Sequence, residues 1–145
     1  MEHKKECCKE AVSYALRVAV GGLLLLMGIA KFKMGVGVFV DSMTPIFDGT
    51  IMPMGVATGF LTVVPLFEVL AGGLIILGLF TRTASLAAAF YFSLLVAGLA
   101  STANPDMYVM MTNNFIYMFA AIWLANKGAG RFSLDKVVCG DKCKY

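Results

Sequence analysis

The sequence predicts an all-α fold: a polytopic membrane four-helix bundle with a short interfacial or re-entrant segment between helices 1 and 2. Three observations carry this. The chain of 145 residues is 59% hydrophobic and only 14% charged, whereas a soluble domain carries about a quarter charged residues and under half apolar. Four apolar stretches are each long enough for the ~20 helical residues a bilayer core requires. No stretch alternates apolar and polar residues, which argues against a membrane barrel, and backbone groups that must pair within lipid make helices the spanning form.

The first span covers about residues 11–31 and is densest over Gly21–Ala30. It ends in Lys31, Phe32 and Lys33 without a clear small-x-small cleavage site, so it reads as a membrane helix and not a removable signal peptide. The second runs over about 54–80. Pro53 suits its first turn, and Pro65 lies inside it, where it should kink the helix and free the carbonyl of Leu61. The third covers about 83–101 and follows after only Thr81, Arg82 and Thr83, which forces a tight antiparallel hairpin. The fourth covers about 107–126, after a turn marked by Asn104 and Pro105. Together these make a single membrane domain over 1–145, with tails at 1–10 and 127–145.

The longest connection, Phe32–Pro53, is too apolar to float in water. Val38–Phe47 reads as a short helix or re-entrant segment, or else as an ordered loop packed on the helix ends, with Asp41 and Asp48 facing water. The tail segment Gly128–Asp135 reads as a helix stop, a glycine turn and a new helix starting near Ser133.

The formal net charge of +3 is too small for a nucleic-acid binder, and the charges sit at the chain ends and in short loops. Four spans put both termini and the hairpin loop on one side. That side holds Lys4, Lys5, Lys9, Arg17, Arg82, Lys127, Arg131, Lys136, Lys142 and Lys144; the other holds Lys31 and Lys33. Positive residues collect in the cytoplasm, so the sequence predicts a multi-pass membrane protein with both termini cytoplasmic.

Glycines recur at Gly21, Gly22 and Gly28 and again at Gly72, Gly73 and Gly78. Small residues let membrane helices approach closely, although membrane composition alone also supplies them. The charges within the spans say more. Arg17 and Lys31 are 14 residues apart, which places them within about 40° of one face and ~21 Å apart along the axis. Glu68 and Arg82 have the same spacing. Because the first two spans run in opposite directions, Arg17 and Arg82 fall at the cytoplasmic edge, and Lys31 and Glu68 fall together in the outer half. An ion pair there relieves both burial penalties.

Glu68 shares its face with Pro65, Ala71 and Gly72, a surface that looks at another helix. It reads either as a structural charge fixing helix packing or as a proton- or ligand-handling carboxylate, the one candidate catalytic residue. On the fourth span, Asn113, Asn114 and Tyr117 could bond across helices or bind the carbonyls of a ligand, forming a polar cluster with Lys31 and Glu68. Arg17 and Arg82 call for something anionic beside them: lipid phosphate or Asp135. Cys7, Cys8, Cys139 and Cys143 fall on the cytoplasmic side, where stable disulfides are disfavoured. They read as free thiols by default; a zinc or cluster site or a redox pair is the weaker alternative, because the spacing matches no standard metal motif.

Leu16-Arg17 through Gly28-Ile-Ala-Lys31-Phe32, Glu68 with Gly72-Gly73-Leu-Ile-Ile-Leu-Gly78-Leu79-Phe-Thr-Arg82, and the ending Gly128-Ala-Gly130-Arg131-Phe-Ser133-Leu134-Asp135 together resemble the DoxX family of small four-helix membrane proteins (DoxX/DoxD-like). The similarity spans about Arg17 to Asp135, and order and spacing carry it rather than one motif. The resemblance implies a bundle in a bacterial or archaeal inner membrane. The family takes its name from a subunit associated with thiosulfate:quinone oxidoreductase, and other members are linked to redox and thiol-stress systems. It marks Glu68 and Arg82 as special positions, with Arg17 and Lys31 behind them, and supplies no catalytic mechanism. The terminal cysteines lie outside it.

Two functions stay open. One is a membrane subunit of a redox system, quinone-linked, acting in sulfur or thiol oxidation, with quinone at Lys31, Glu68 and Asn113 and no intrinsic cofactor, since no flavin, haem or iron–sulfur motif is present. The other is a non-catalytic anchor or stabilising subunit of a larger complex. A small transporter is a weaker third, because four helices would have to dimerise to enclose a path. Lipid and either other subunits or further copies of the chain are the partners. The orientation is testable: an impermeant thiol reagent on intact cells should leave Cys7, Cys8, Cys139 and Cys143 unlabelled, and strong labelling of these four would reverse the topology.

Overall fold

The computed structural model describes residues 2–128 except 49, 51 and 103, with side chains from residue 11 onward. All its regular elements there are helical: α1 (Glu2–Met34), α2 (Val36–Met43), α3 (Met54–Leu77), α4 (Thr81–Ser101) and α5 (Tyr108–Lys127), with short 3-10 turns at Thr44–Phe47 and Pro105–Met107. Four helices are long and apolar enough to cross a membrane, over Ala11–Met34, Met54–Leu77, Thr81–Ser101 and Pro105–Lys127.

Several boundaries differ from the sequence expectation, and α1 runs on to Met34. α1 starts at Glu2, so residues from Glu2 to Glu10 continue the helix instead of forming a tail. That stretch contains neither glycine nor proline, and nothing halts propagation once the span has nucleated it. α3 ends at Leu77 rather than Phe80, because Gly78 takes the left-handed conformation with φ of 70°. The Gly78 N–H donates to Ile75 O and the Leu79 N–H to Leu74 O, the two bonds of a Schellman stop. The hairpin connection is therefore residues 78–80, and Thr81, Arg82 and Thr83 already form the first turn of α4. α3 continues through Pro65, which is fully buried.

From Val36 to Phe47 the chain between α1 and α3 is helical rather than an irregular loop. Gly35, with φ of 95°, turns it out of α1 and into α2. Phe39 and Phe47 are buried, whereas Asp41 and Asp48 are exposed. Phe47 reaches α4 at Gly98, where a Cβ would stand 3.3 Å from its ring.

The helices associate chiefly as two pairs, α1 with α3 and α4 with α5. The first pair owes its closeness to glycine. A Cβ on Gly72 would lie 2.6 Å from the Leu25 amide nitrogen and 2.7 Å from Gly21 O; one on Gly28 would lie 2.9 Å from Pro65 O. Gly21 meets Gly72 and Gly28 meets Pro65, so an antiparallel register is held over two turns. Gly22 and Gly73, the neighbours in each glycine doublet, face open space. The second pair buries alanines on both helices, Ala84 and Ala88 of α4 and Ala121 of α5.

The glycine doublet gives a matched test. Gly72→Ala pushes backbone against backbone and should cost about 1–3 kcal/mol, the range for overpacking, lowering the unfolding temperature in detergent. Gly73→Ala meets nothing and should leave that temperature unchanged or slightly raised. Equal effects of the two would show that α1 and α3 do not meet at Gly72.

Candidate functional site

Four elements converge on one carboxylate. Glu68 sits midway along α3 and is 3% exposed. Lys31, in the last turn of α1, donates from Nζ to Oε1 at 2.5 Å and to Oε2 at 2.6 Å. Tyr91, on α4, donates its hydroxyl to Oε1 at 2.6 Å. Phe39 of α2 places its ring 5.2 Å from the Lys31 ammonium, a cation–π contact that covers the pair from above. The lysine keeps 19% of its side chain exposed, against 5% for the glutamate. The carboxyl group thus accepts two bonds from the ammonium and one from the phenol.

Tyr91 was not legible as part of the site from composition or periodicity. Its partner relation follows from the hairpin: Glu68 and Tyr91 are equally distant from the Leu79–Phe80 turn along antiparallel helices, so they fall at the same depth. Its ring lies within an aromatic row, 5.0 Å from Phe67, 6.4 Å from Phe60 and 5.4 Å from Phe92.

Beside this network, α3 and α4 part. A groove of 230 Å³ runs between them, lined by Phe60, Val63, Val64 and Phe67 from one helix and Ala87, Phe90, Tyr91 and Leu94 from the other. Val63 and Phe90 at its rim are more than half exposed, so it opens sideways onto the apolar surface. Tyr91 connects the two features, lining the groove with its ring and holding Glu68 with its hydroxyl.

The other sequence candidates lie elsewhere. Asn113 is exposed on α5, and Asn114 is half-buried; neither makes a hydrogen bond among the described residues, and neither joins Lys31 and Glu68. Tyr117 stacks on Phe92 at 5.9 Å, one aromatic ring removed from Tyr91. Arg17 is 2% exposed and donates to Ile75 O at 3.1 Å and Ile76 O at 2.8 Å. It therefore binds the carbonyls that end α3, where the helix dipole is negative. Arg82 lies against Gly128, whose Cβ, if present, would be 3.1 Å from Arg82 Nε. Ser13 closes the same end by donating to Gly128 O at 3.0 Å. Asp135, Cys139 and Cys143 and the helix expected near Ser133 lie outside the described residues, as do the side chains of Cys7 and Cys8. Among the described residues no three His, Cys, Asp or Glu side chains gather as metal ligands.

The ion pair has a thermodynamic signature. Glu68→Gln and Lys31→Met each strand the partner in a low-dielectric site and should each lower stability by about 3–5 kcal/mol, while the double variant should recover much of that loss. A double-mutant cycle in detergent reads the coupling, and strictly additive losses would show that the two side chains act independently.

No curated protein and no solved structure matches the chain. The DoxX family model matches residues 12–102, which takes in the Lys31–Glu68–Tyr91 network and stops short of α5. With well over half of the sequence matched, four apolar helices and the network inside the matched region, the chain belongs to the DoxX family and is a membrane protein.

Proposed function

We propose that the protein is a membrane subunit of a redox system that takes a prenylated quinone laterally from the bilayer into the α3–α4 groove. The observation that carries this reading is the position of Tyr91, at once a wall of a lipid-open apolar groove and a hydrogen-bond donor to a buried acid. Ligand sites are apolar slots with a few placed polar groups, and this groove fits that description for a prenyl tail, with the aromatic row suited to a flat ring. A quinone, when bound, supplies two-electron, two-proton carrier chemistry. Glu68 and Tyr91 hold and pass protons at their shared hydrogen bond, and Lys31 sets the charge balance of the carboxylate while its partly exposed side chain keeps contact with the surface. Electrons come from a partner subunit, since the sequence carries no redox cofactor motif. In this reading the Arg82 end faces the cytoplasm and the membrane is the inner membrane, in keeping with the distribution of positive residues.

The anchor reading has an observation in its favour too: the carboxylate is fully engaged by Lys31 and Tyr91, as a structural clamp would be. Quinone binding separates the two. In nanodiscs, a short-chain ubiquinone or menaquinone should bind the wild type. Ala87→Trp, which fills the groove, should weaken that binding tenfold or more without lowering the unfolding temperature. Wild-type protein that binds neither quinone would defeat the redox proposal and leave the anchor reading standing.

A further inference from the structure

Of the four spans, α5 is the least covered by the rest of the bundle. Asn113 lies on its open side, between Val109 at 72% and Ile116 at 61% exposure, its neighbours four residues back and three residues on along the same face. The span Pro105–Lys127 has Ile116 at its middle, which puts Asn113 within ~5 Å of mid-membrane at 1.5 Å per residue. An amide facing hydrocarbon there has no water to bond. Two other polar side chains of the same helix satisfy themselves, Thr112 donating to Tyr108 O at 2.8 Å and Asn126 to Ile122 O at 3.0 Å, whereas the half-buried Asn114, like Asn113, does not. Asn113 makes no hydrogen bond among the described residues, although it could have turned back on its own helix as Thr112 and Asn126 do.

We infer that the Asn113 face of α5 is an interface with a second copy of this chain, closed by reciprocal hydrogen bonds between the two Asn113 amides. An amide both donates and accepts, so it is self-complementary across a two-fold axis. Two copies of one chain share their orientation in the membrane, so their α5 helices run parallel and their Asn113 residues sit at identical depth. A different partner would have to supply a matching polar group at mid-membrane; a second copy supplies it by symmetry. The flanking Val109 and Ile116 provide the apolar packing on either side of the pair, as in a parallel helix dimer with one polar residue fixing the register. No residue of this face lines the α3–α4 groove.

Energy transfer between donor- and acceptor-labelled full-length chains in liposomes, read across a series of protein-to-lipid ratios, tests the inference. The wild type should dimerise. Asn113→Leu, which keeps the face apolar, should weaken association roughly five- to thirtyfold, the effect of losing interhelical polar bonding in lipid. Asn113→Gln should retain most of it, and Asn126→Leu should match the wild type. Unchanged unfolding temperatures would establish that the Leu variant still folds. Wild-type chains that stay monomeric at every ratio, as they would if this face served an unrelated protein, overturn the inference. So does an Asn113→Leu chain that dimerises as tightly as the wild type.

Discussion

A carboxylate at the middle of a membrane helix constrains everything packed around it. Glu68 can stay ionised only if donors reach it from neighbouring helices, because hydrocarbon supplies none. Lys31 reaches it from α1 at a favourable point. Side chains lean toward the N-terminus of their own helix, so the lysine extends back from its position near the end of α1 toward the level of Gly28, where the α3 backbone is in close contact. The glycine contacts and the ion pair are therefore one arrangement. Without Gly21, Gly28 and Gly72 the backbones would separate and the ammonium would lose its reach; without the pair, the close approach would bury an uncompensated charge. The cover provided by α2 belongs to the same arrangement, since Phe39 stands over the ammonium and shields the pair from the surface.

The parts of this that the sequence made visible are those governed by arithmetic along a helix. Lys31 and Glu68 could be placed at one depth because each lies 14 residues from an arginine at the other end of its span. The glycine doublets marked a close contact, but not which member of each doublet made it, since Gly72 and Gly73 differ by one helical step that composition does not resolve. Tyr91 needed a further step, reflecting Glu68 through the hairpin turn, and in isolation a tyrosine within an apolar helix reads as packing. Arg17 was assigned to an anion because it and Arg82 are like charges at one edge of the bundle. The carbonyls that end α3 are a partner in part, and a sequence does not display helix-end carbonyls as it displays charged side chains.

Asn113 and Tyr117 show why the remaining detail was not legible. They are four residues apart and occupy neighbouring stripes of α5, yet one looks out and the other stacks on Phe92. In a soluble helix the polar face would announce the outside. A lipid-facing helix is apolar on every side, so periodicity loses its power to separate inside from outside. The boundary is then set by tertiary packing alone, and a shift of about 40° decides whether an amide meets a helix or a lipid chain.

The helix pairing sets the character of the molecule. α1 with α3 and α4 with α5 make the broad contacts, whereas α3 and α4, though joined by three residues, touch little. Packing therefore holds each pair together but does not by itself fix one pair against the other. Hydrogen bonds between the pairs supply what packing leaves out: Tyr91 to Glu68 partway along the bundle, and Ser13 to Gly128 O at the hairpin end. Directional bonds fix distance and orientation without filling the space between helices, which is why a groove can persist beside Tyr91. The buried acid is thus the anchor point of one pair and the docking point of the other. A change in its bond to Tyr91 would act first on the α3–α4 seam, where the groove leaves room to respond.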